Sequence, residues 1–293
     1  MFQLFGINGI QDNELITNQQ FTSPEIQKLP IKTKCSDLVK IKGFIINKND
    51  IHKLMNEYLE FYFEQTFIKI PFSFLLQINS DIKYFDENYC FINFTHDYFF
   101  NHKIQLISMS FSTFSCNFTN MSDYNIEIVL DKYYLDITKR KELATIPFNY
   151  NIRNIRHYKI PFIEYNYNLH IYKLDTTIKL LNQGIFIVKN TNYEIKTISI
   201  SLNDKISIFN YDYKLLNIYS ENMGNLTYYG FNVNEKYDST NIAGCVNFSL
   251  FDKITIIITL KSLNVNHENY LDIYMPYWNT IMYKEGLVGL KYV

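Results

Sequence analysis

The chain has 293 residues, 47% hydrophobic and 19% charged, which excludes the polar, highly charged composition of a disordered protein and supplies core material for one large or two mid-sized domains. Its 28 basic residues balance 29 acidic ones, which argues against a protein held on nucleic acid by a broadly basic surface. With 25 Tyr and 24 Phe, and alanine only at Ala144 and Ala243, the composition favours strands, because ring and β-branched side chains suit a pleated sheet and the best helix former is almost missing.

The opening stretch, MFQLFGINGIQDNE, has neither a basic n-region nor a continuous apolar h-region, and no apolar run reaches the length of a membrane span, so the expectation is a soluble, non-secreted protein. Residues 39–46 (VKIKGFII) read as a strand. Ile51, Leu54, Met55, Tyr58, Leu59 and Tyr62 then recur at helical spacing, predicting the longest helix over 50–63 with Asn49 or Asp50 as its N-cap. Strands are expected over 67–78 (FIKIPFSFLLQI), 104–118 and 125–135. A short helical turn over 138–145 follows Asp136, and with Pro147 and Pro161 it interrupts the strand pattern. The expected domains are therefore 1–140 and 141–293. Further strands fall at 169–181, 193–202, 226–233 and 253–261. In 193–202, Ile198, Ile200 and Leu202 share one face and Thr197, Ser199 and Ser201 the other, a half-buried strand. In 253–261, Ile254, Ile256, Ile258 and Leu260 face one way and Thr255, Ile257 and Thr259 the other, a strand expected to be covered on both sides. The connecting DENY, NTNY, NEKYDSTN and NVNHEN clusters are turn chemistry, and no internal sequence repeat is visible.

Little here carries catalysis. Glycine-rich phosphate loops, a G-x-S-x-G elbow and an H-E-x-x-H helix are all missing from the sequence. Cys35, Cys90, Cys116 and Cys245 are far apart and read as reduced, buried thiols rather than a zinc or disulfide framework. His96, Asp97 and His102 would hold a metal only if a turn folded them together; a loop or sheet-edge pair is the simpler reading. The glycosylation triplets at Asn93, Asn117, Asn120, Asn225 and Asn247 are what an Asn-rich chain produces by chance. The expectation is no enzymatic activity, no cofactor and no metal.

Near the C-terminus the order is Gly244-Cys245-Val246-Asn247-Phe248-Ser249-Leu250-Phe251-Asp252, then Tyr277-Trp278-Asn279-Thr280-Ile281, then Gly286-Leu287-Val288-Gly289-Leu290-Lys291-Tyr292. This resembles the end of the double jelly-roll major capsid proteins of nucleocytoplasmic large DNA viruses, in which Gly-x-x-Asn-Phe-Ser-Arg-Ile-Asp leads into a strand and Tyr-Asn-x-Leu precedes Gly-x-x-Gly-Leu-x-Tyr. Leu130-Asp131-Lys132-Tyr133-Tyr134-Leu135, running on to Ala144, is similar to that family's junction between its two rolls. Two departures stand out: Leu250-Phe251 replaces Arg-Ile, and Lys139 takes the place of the family's Glu.

The resemblance implies an all-β chain of two tandem eight-stranded jelly-roll β-sandwiches, forming pseudo-hexameric homotrimers in an icosahedral shell. Its implied partners are itself, neighbouring capsomers, minor capsid proteins and an inner viral membrane, with no specific nucleic acid. Its implied place is the virion, assembled in the host cytoplasm. Physically, Gly244, Gly286 and Gly289 suit bends or close backbone approaches, and Asn247 and Asp252 suit turns. Phe248, Ser249, Asn279, Leu290 and Tyr292 complete the motif set. A membrane scaffold or minor capsid paralogue is the alternative within the same lineage. A carbohydrate-binding or carbohydrate-processing β-sandwich is the alternative from another class.

Overall fold

A computed structural model describes residues 19–29, 31–33, 38–63, 66–78, 82–84, 86–93, 104–105, 114–120, 124–138, 141–142, 148–161, 169–176, 180–190, 193–204, 206–231, 245–262, 270–284 and 287–290. The chain divides into two compact units, Met1–Asn154 with Asn279–Val293, and Ile155–Trp278. No described helix is long and apolar enough to cross a membrane.

In the first unit the chain forms β1 (Gln19–Lys28), β2 (Ile31–Thr33), β3 (Leu38–Asn47), α1 (Lys48–Leu54), β4 (Tyr58–Phe63), β5 (Thr66–Pro71), α2 (Phe72–Ile78), β6 (Ile82–Tyr84), β7 (Tyr89–Asn93), β8 (Ile104–Gln105), β9 (Phe114–Phe118) and β10 (Glu127–Leu135). One sheet runs β1-β10-β3-β7-β6 with β8 also on β3, and the other runs β2-β9-β4-β5. Leaving aside β6, an edge strand on β7, and β8, a two-residue addition to β3, eight strands remain among the described residues. The first, eighth, third and sixth share one sheet, and the second, seventh, fourth and fifth share the other. That interleaving is the jelly roll, in which each sheet buries one face against its partner. Phe44 of β3 meets the edge of Phe118 of β9 at 5.8 Å, and Phe72 at the start of α2 meets Phe118 at 5.3 Å. All three rings are fully buried.

Two expectations change here. The helix expected over 50–63 is shorter and starts earlier: α1 ends at Leu54, and Tyr58 opens β4. Its N-cap is Asn47, whose side-chain oxygen accepts the Asn49 amide at 3.0 Å, so neither Asn49 nor Asp50 fills that role. Beyond the helix, Leu59 and Phe61 are buried while Tyr58, Glu60 and Tyr62 are half-buried, a period of two that the helical spacing had absorbed. Strand β4 pairs with β5 on one side and β9 on the other, so ladder bonds on both edges outweigh a local helical preference. The strand expected over 67–78 also stops early, because α2 begins directly after Pro71. A short apolar run reads alike as strand or buried helix, and here Phe72, Phe74, Leu75 and Ile78 are all buried. The expected helical turn over 138–145 falls largely outside the described residues.

Strand β10 carries an unexpected residue on its inner face. Ile128 and Leu130 are buried there, and Lys132 follows at the next inward position with its side chain 6% exposed. Its ammonium lies 2.5 Å from Glu25 of β1, and Gln27 donates to the same carboxylate at 2.6 Å. The hydrogen bond from Lys132, helped by that from Gln27, holds the Glu25 carboxyl below the usual glutamate range. A depressed carboxyl pKa contributes stability above its unfolded value of about 4.3, and that contribution is lost as pH falls through the folded value. Glu25→Gln, which strands the ammonium, is expected to cost about 1–2 kcal/mol at neutral pH, modest because the Glu25 side chain is 39% exposed. Urea midpoints measured against pH should show the gap between variant and parent closing in acid. A gap that persists there refutes the assignment.

From Phe148 onward the chain forms β11 (Phe148–Pro161), β12 (Leu169–Asp175), β13 (Leu181–Asn182), β14 (Gly184–Val188), β15 (Tyr193–Leu202), β16 (Ile206–Asp212), α3 (Tyr213–Tyr219), β17 (Ser220–Met223), β18 (Leu226–Gly230), β19 (Val246–Asn247), a 3-10 turn over Phe248–Leu250, β20 (Ile254–Ser262), β21 (Tyr270–Lys284) and β22 (Leu287–Leu290). Strands β11 and β21 run on into the first unit, where β22 also lies. One sheet runs β12-β20-β15-β16, and the other runs β17-β18-β14-β21-β13-β19 with β11 and β22 also on β21. Apart from the short β13, β17, β19 and β22, the eight remaining strands take the same order as in the first unit. Helices α2 and α3 even occupy the same connection, between the fifth and sixth strands. An architectural repeat therefore exists where no sequence repeat is visible.

The core of the second unit follows the expected faces. Ile198, Ile200 and Leu202 of β15 and Ile254, Ile256, Ile258 and Leu260 of β20 join one buried cluster with Ile185, Ile187, Leu271 and Ile273. Thr197, Ser199 and Ser201 are half-buried on the other side of β15. The second face of β20 is less covered than expected. Thr255 is buried, but Ile257 and Thr259 are only half-buried, and the Thr197 hydroxyl donates to that of Thr259 at 2.8 Å.

Candidate functional site: the C-terminal motif segment

The motif segment works as a plug in the connection between β18 and β20. Asn247 ends β19, and its side-chain oxygen accepts the Ser249 amide at 3.1 Å and the Ser249 hydroxyl at 2.7 Å. This capped turn drives the ring of Phe248 into the core, where it is fully buried and stacks on Phe231 at 5.8 Å. The Phe248 amide donates to the Leu180 carbonyl at 3.2 Å, and the Phe251 amide closes the turn onto Phe248 at 3.2 Å. Ser249 and Asp252 are exposed. The segment leaves tied to the β15–β16 turn: the Lys253 amide donates to the Asn203 side chain at 2.9 Å, and the Asn203 amide donates back to the Lys253 carbonyl at 2.8 Å.

The other motif residues behave less uniformly. Asn279 is 4% exposed, and its side-chain oxygen accepts the Thr280 amide at 2.8 Å. In the β21–β22 hairpin, Gly289 stands opposite Met282 and Leu290 opposite Ile281. A Cβ added at Gly289 would meet nothing within 4 Å. Gly244, Gly286 and Tyr292 lie outside the described residues, as do Cys35, His96, Asp97 and His102. Among the described residues, Gly43 and Gly184 leave no room for a side chain. A Cβ at Gly43 would collide with the Ile92 carbonyl, and one at Gly184 would sit 2.5 Å from the Tyr229 carbonyl oxygen. A glycine within the 39–46 strand pattern was the available sequence signal for Gly43.

Among the described residues no three His, Cys, Asp or Glu side chains group closely enough to hold a metal ion. Burial pushes the Cys116 thiol well above its ordinary pKa and raises that of Cys90, so both are poor nucleophiles. A histidine–carboxylate pair does occur: His157 Nε2 lies 2.8 Å from Asp272, with the imidazole stacked on Tyr274 at 4.5 Å.

Neither a family model nor a curated protein matches the sequence. Solved structures do match. A chain of the PBCV-1 virus capsid, in a quasi-atomic description, aligns with a TM-score of 0.69 at 12% identity, over 94% of this chain and 98% of that one. PBCV-1 VP54, as fitted into a cryo-EM reconstruction of the virophage Sputnik, aligns with a TM-score of 0.69 at 13% identity and the same coverages. The fold is the double jelly roll of viral capsid proteins. Within it the Asn247 turn lies between the sixth and seventh strands of the second jelly roll, and Asn279 and Gly289 lie on and beside the long eighth strand.

Proposed function

We propose that the chain is a structural subunit of an icosahedral viral capsid, assembling as homotrimeric capsomers of near-hexagonal outline and performing no catalysis. The observation that supports this best is the same eight-strand order occurring twice in one chain. Three copies of a two-sandwich subunit present six similar modules, a unit that tiles a shell. The topology also favours a division into rolls at 1–140 and 141–293, since β10 ends at Leu135 and β11, the first strand of the second roll, begins at Phe148. Function then lives in surfaces. Among the described residues Ile26, Ile137, Ile171, Ile218 and Leu250 are each more than half exposed, and they offer apolar contacts to neighbouring copies. The motif glycines and Asn247, Phe248, Ser249, Asp252, Asn279, Leu290 and Tyr292 act in this reading as closures of the second sandwich. Its partners are its own copies, neighbouring capsomers, minor capsid proteins and an inner viral membrane, in virions assembled in the host cytoplasm.

Light scattering on the purified chain is expected to give about three times the 35.0 kDa subunit mass, with an interface on the order of 2,000 Å² or more per pair. Ile171→Asp combined with Leu250→Asp is expected to yield folded monomers. A parent chain that stays monomeric at high concentration and is missing from virions contradicts the capsomer reading.

A further inference from the structure

The sheet β12-β20-β15-β16 ends on β12, and among the described residues no strand pairs with its outer edge. The backbone groups on that edge can be assigned. The Thr176 amide donates to the Ile254 carbonyl at 3.0 Å, and β12 and β20 keep one unbroken register from Leu169↔Lys261 to Asp175↔Thr255. Antiparallel pairs alternate between bonded and unbonded, so Tyr172 and Leu174 bond β20 while the N–H and C=O groups of Ile171, Lys173 and Asp175 point to the outer edge. Two other edge strands are interrupted, which blunts them as templates for pairing. Strand β1 carries Pro24 and breaks register between Gln19 and Phe21, and β16 meets β15 across a break between Ile200 and Ser201. Strand β12 has neither a proline nor a break.

The side chains on this strand say what fits the edge. Tyr172 and Leu174 pack against the core, whereas Ile171, Lys173 and Asp175 are exposed on the opposite face. One Asp175 oxygen accepts the Thr255 hydroxyl at 2.5 Å, and a carboxylate has capacity for further donors. A strand reading Lys-x-Asp is complementary to its own antiparallel copy. With a two-fold axis at Leu174, Lys173 of each copy stands opposite Asp175 of the other, and the outward backbone groups of these same residues form the bonded pair. Sliding the pairing by two residues sets Lys173 against Lys173, which repels. Sliding it by four sets Lys173 against Ile171 and leaves both charges unmatched.

We propose that β12 pairs antiparallel with β12 of a second copy across a two-fold axis at Leu174, joining two four-stranded sheets into one of eight. This contact goes beyond the capsomer reading and does not depend on it. Hydrogen exchange on the full chain, read residue by residue from micromolar to millimolar concentration, should show the Lys173 and Asp175 amides slowing at least tenfold. Lys173→Pro removes an outward donor and no bond to β20, so the Asp175 amide should lose that protection while the unfolding midpoint is kept. Lys173→Asp and Asp175→Lys each set like charges together and should each weaken association at least tenfold. Mixed in equal amounts, the two variants should regain it, because the charges match again across the contact. The proposal is overturned if both amides exchange alike at every concentration, if folded Lys173→Pro leaves Asp175 protected, or if an extended valine-threonine peptide protects the edge and a second copy does not. Trimers without this protection sink the pairing and leave the capsomer reading standing; protection in a chain that forms no trimer does the reverse.

Discussion

Phe118→Ala is expected to lower the stability of the first unit by about 3–5 kcal/mol, the range for deleting a buried ring without collapse of the site around it. Phe118 is fully buried and touches ring edges from two directions, Phe44 on the opposing sheet at 5.8 Å and Phe72 of α2 at 5.3 Å. Truncation therefore removes the apolar burial and two edge contacts, each worth on the order of 1 kcal/mol beyond area. At roughly 2–4 °C per kcal/mol, the far-UV melting midpoint should fall by about 10 °C. Phe118→Leu should recover most of the loss. A fall under about 2 °C for the alanine variant would show that Phe118 is not the ring joining these layers.

The second unit has an equally sensitive position of the opposite kind. Gly184→Ala adds one methyl group where there is no room: the new carbon would lie 2.5 Å from the Tyr229 carbonyl oxygen and 2.6 Å from the Tyr228 ring. Tyr228 cannot swing away freely, because its hydroxyl donates to the Gln183 carbonyl at 3.1 Å and its ring packs on Phe186 at 4.8 Å. Strand β18 must then shift away from β14, at an expected cost of about 3 kcal/mol. The single tryptophan, Trp278, is 3% exposed at the end of the second unit and reports this directly. Its fluorescence transition in urea should move to lower concentration, while Gly289→Ala, with open space at that position, should leave it in place. Equal midpoints for Gly184→Ala and parent would refute the packing argument.

Local pattern alone was enough for several features. The alternation through 193–202 and 253–261 predicts which side chains of β15 and β20 enter the core, because a pleated strand sends successive side chains to opposite faces whatever its neighbours are. The Asn247 turn is equally local, an amide side chain bonding backbone two residues on. The ordered C-terminal motifs pointed to the double jelly roll that the fold comparison shows. Other features depend on partners far away in sequence. Whether 55–63 continues a helix or becomes β4 rests on β5 and β9 offering ladder bonds on both edges. Lys132 has the right period for a core position and the wrong chemistry, and only the approach of Glu25 from β1, more than a hundred residues earlier, makes that burial tolerable. Gly184 and Gly289 look alike in sequence, yet one faces a carbonyl and a ring while the other faces open space. The repeated strand order is likewise invisible along the chain, because a jelly roll is specified by which strands become neighbours, and two rolls can share that pairing without sharing the side chains that enforce it.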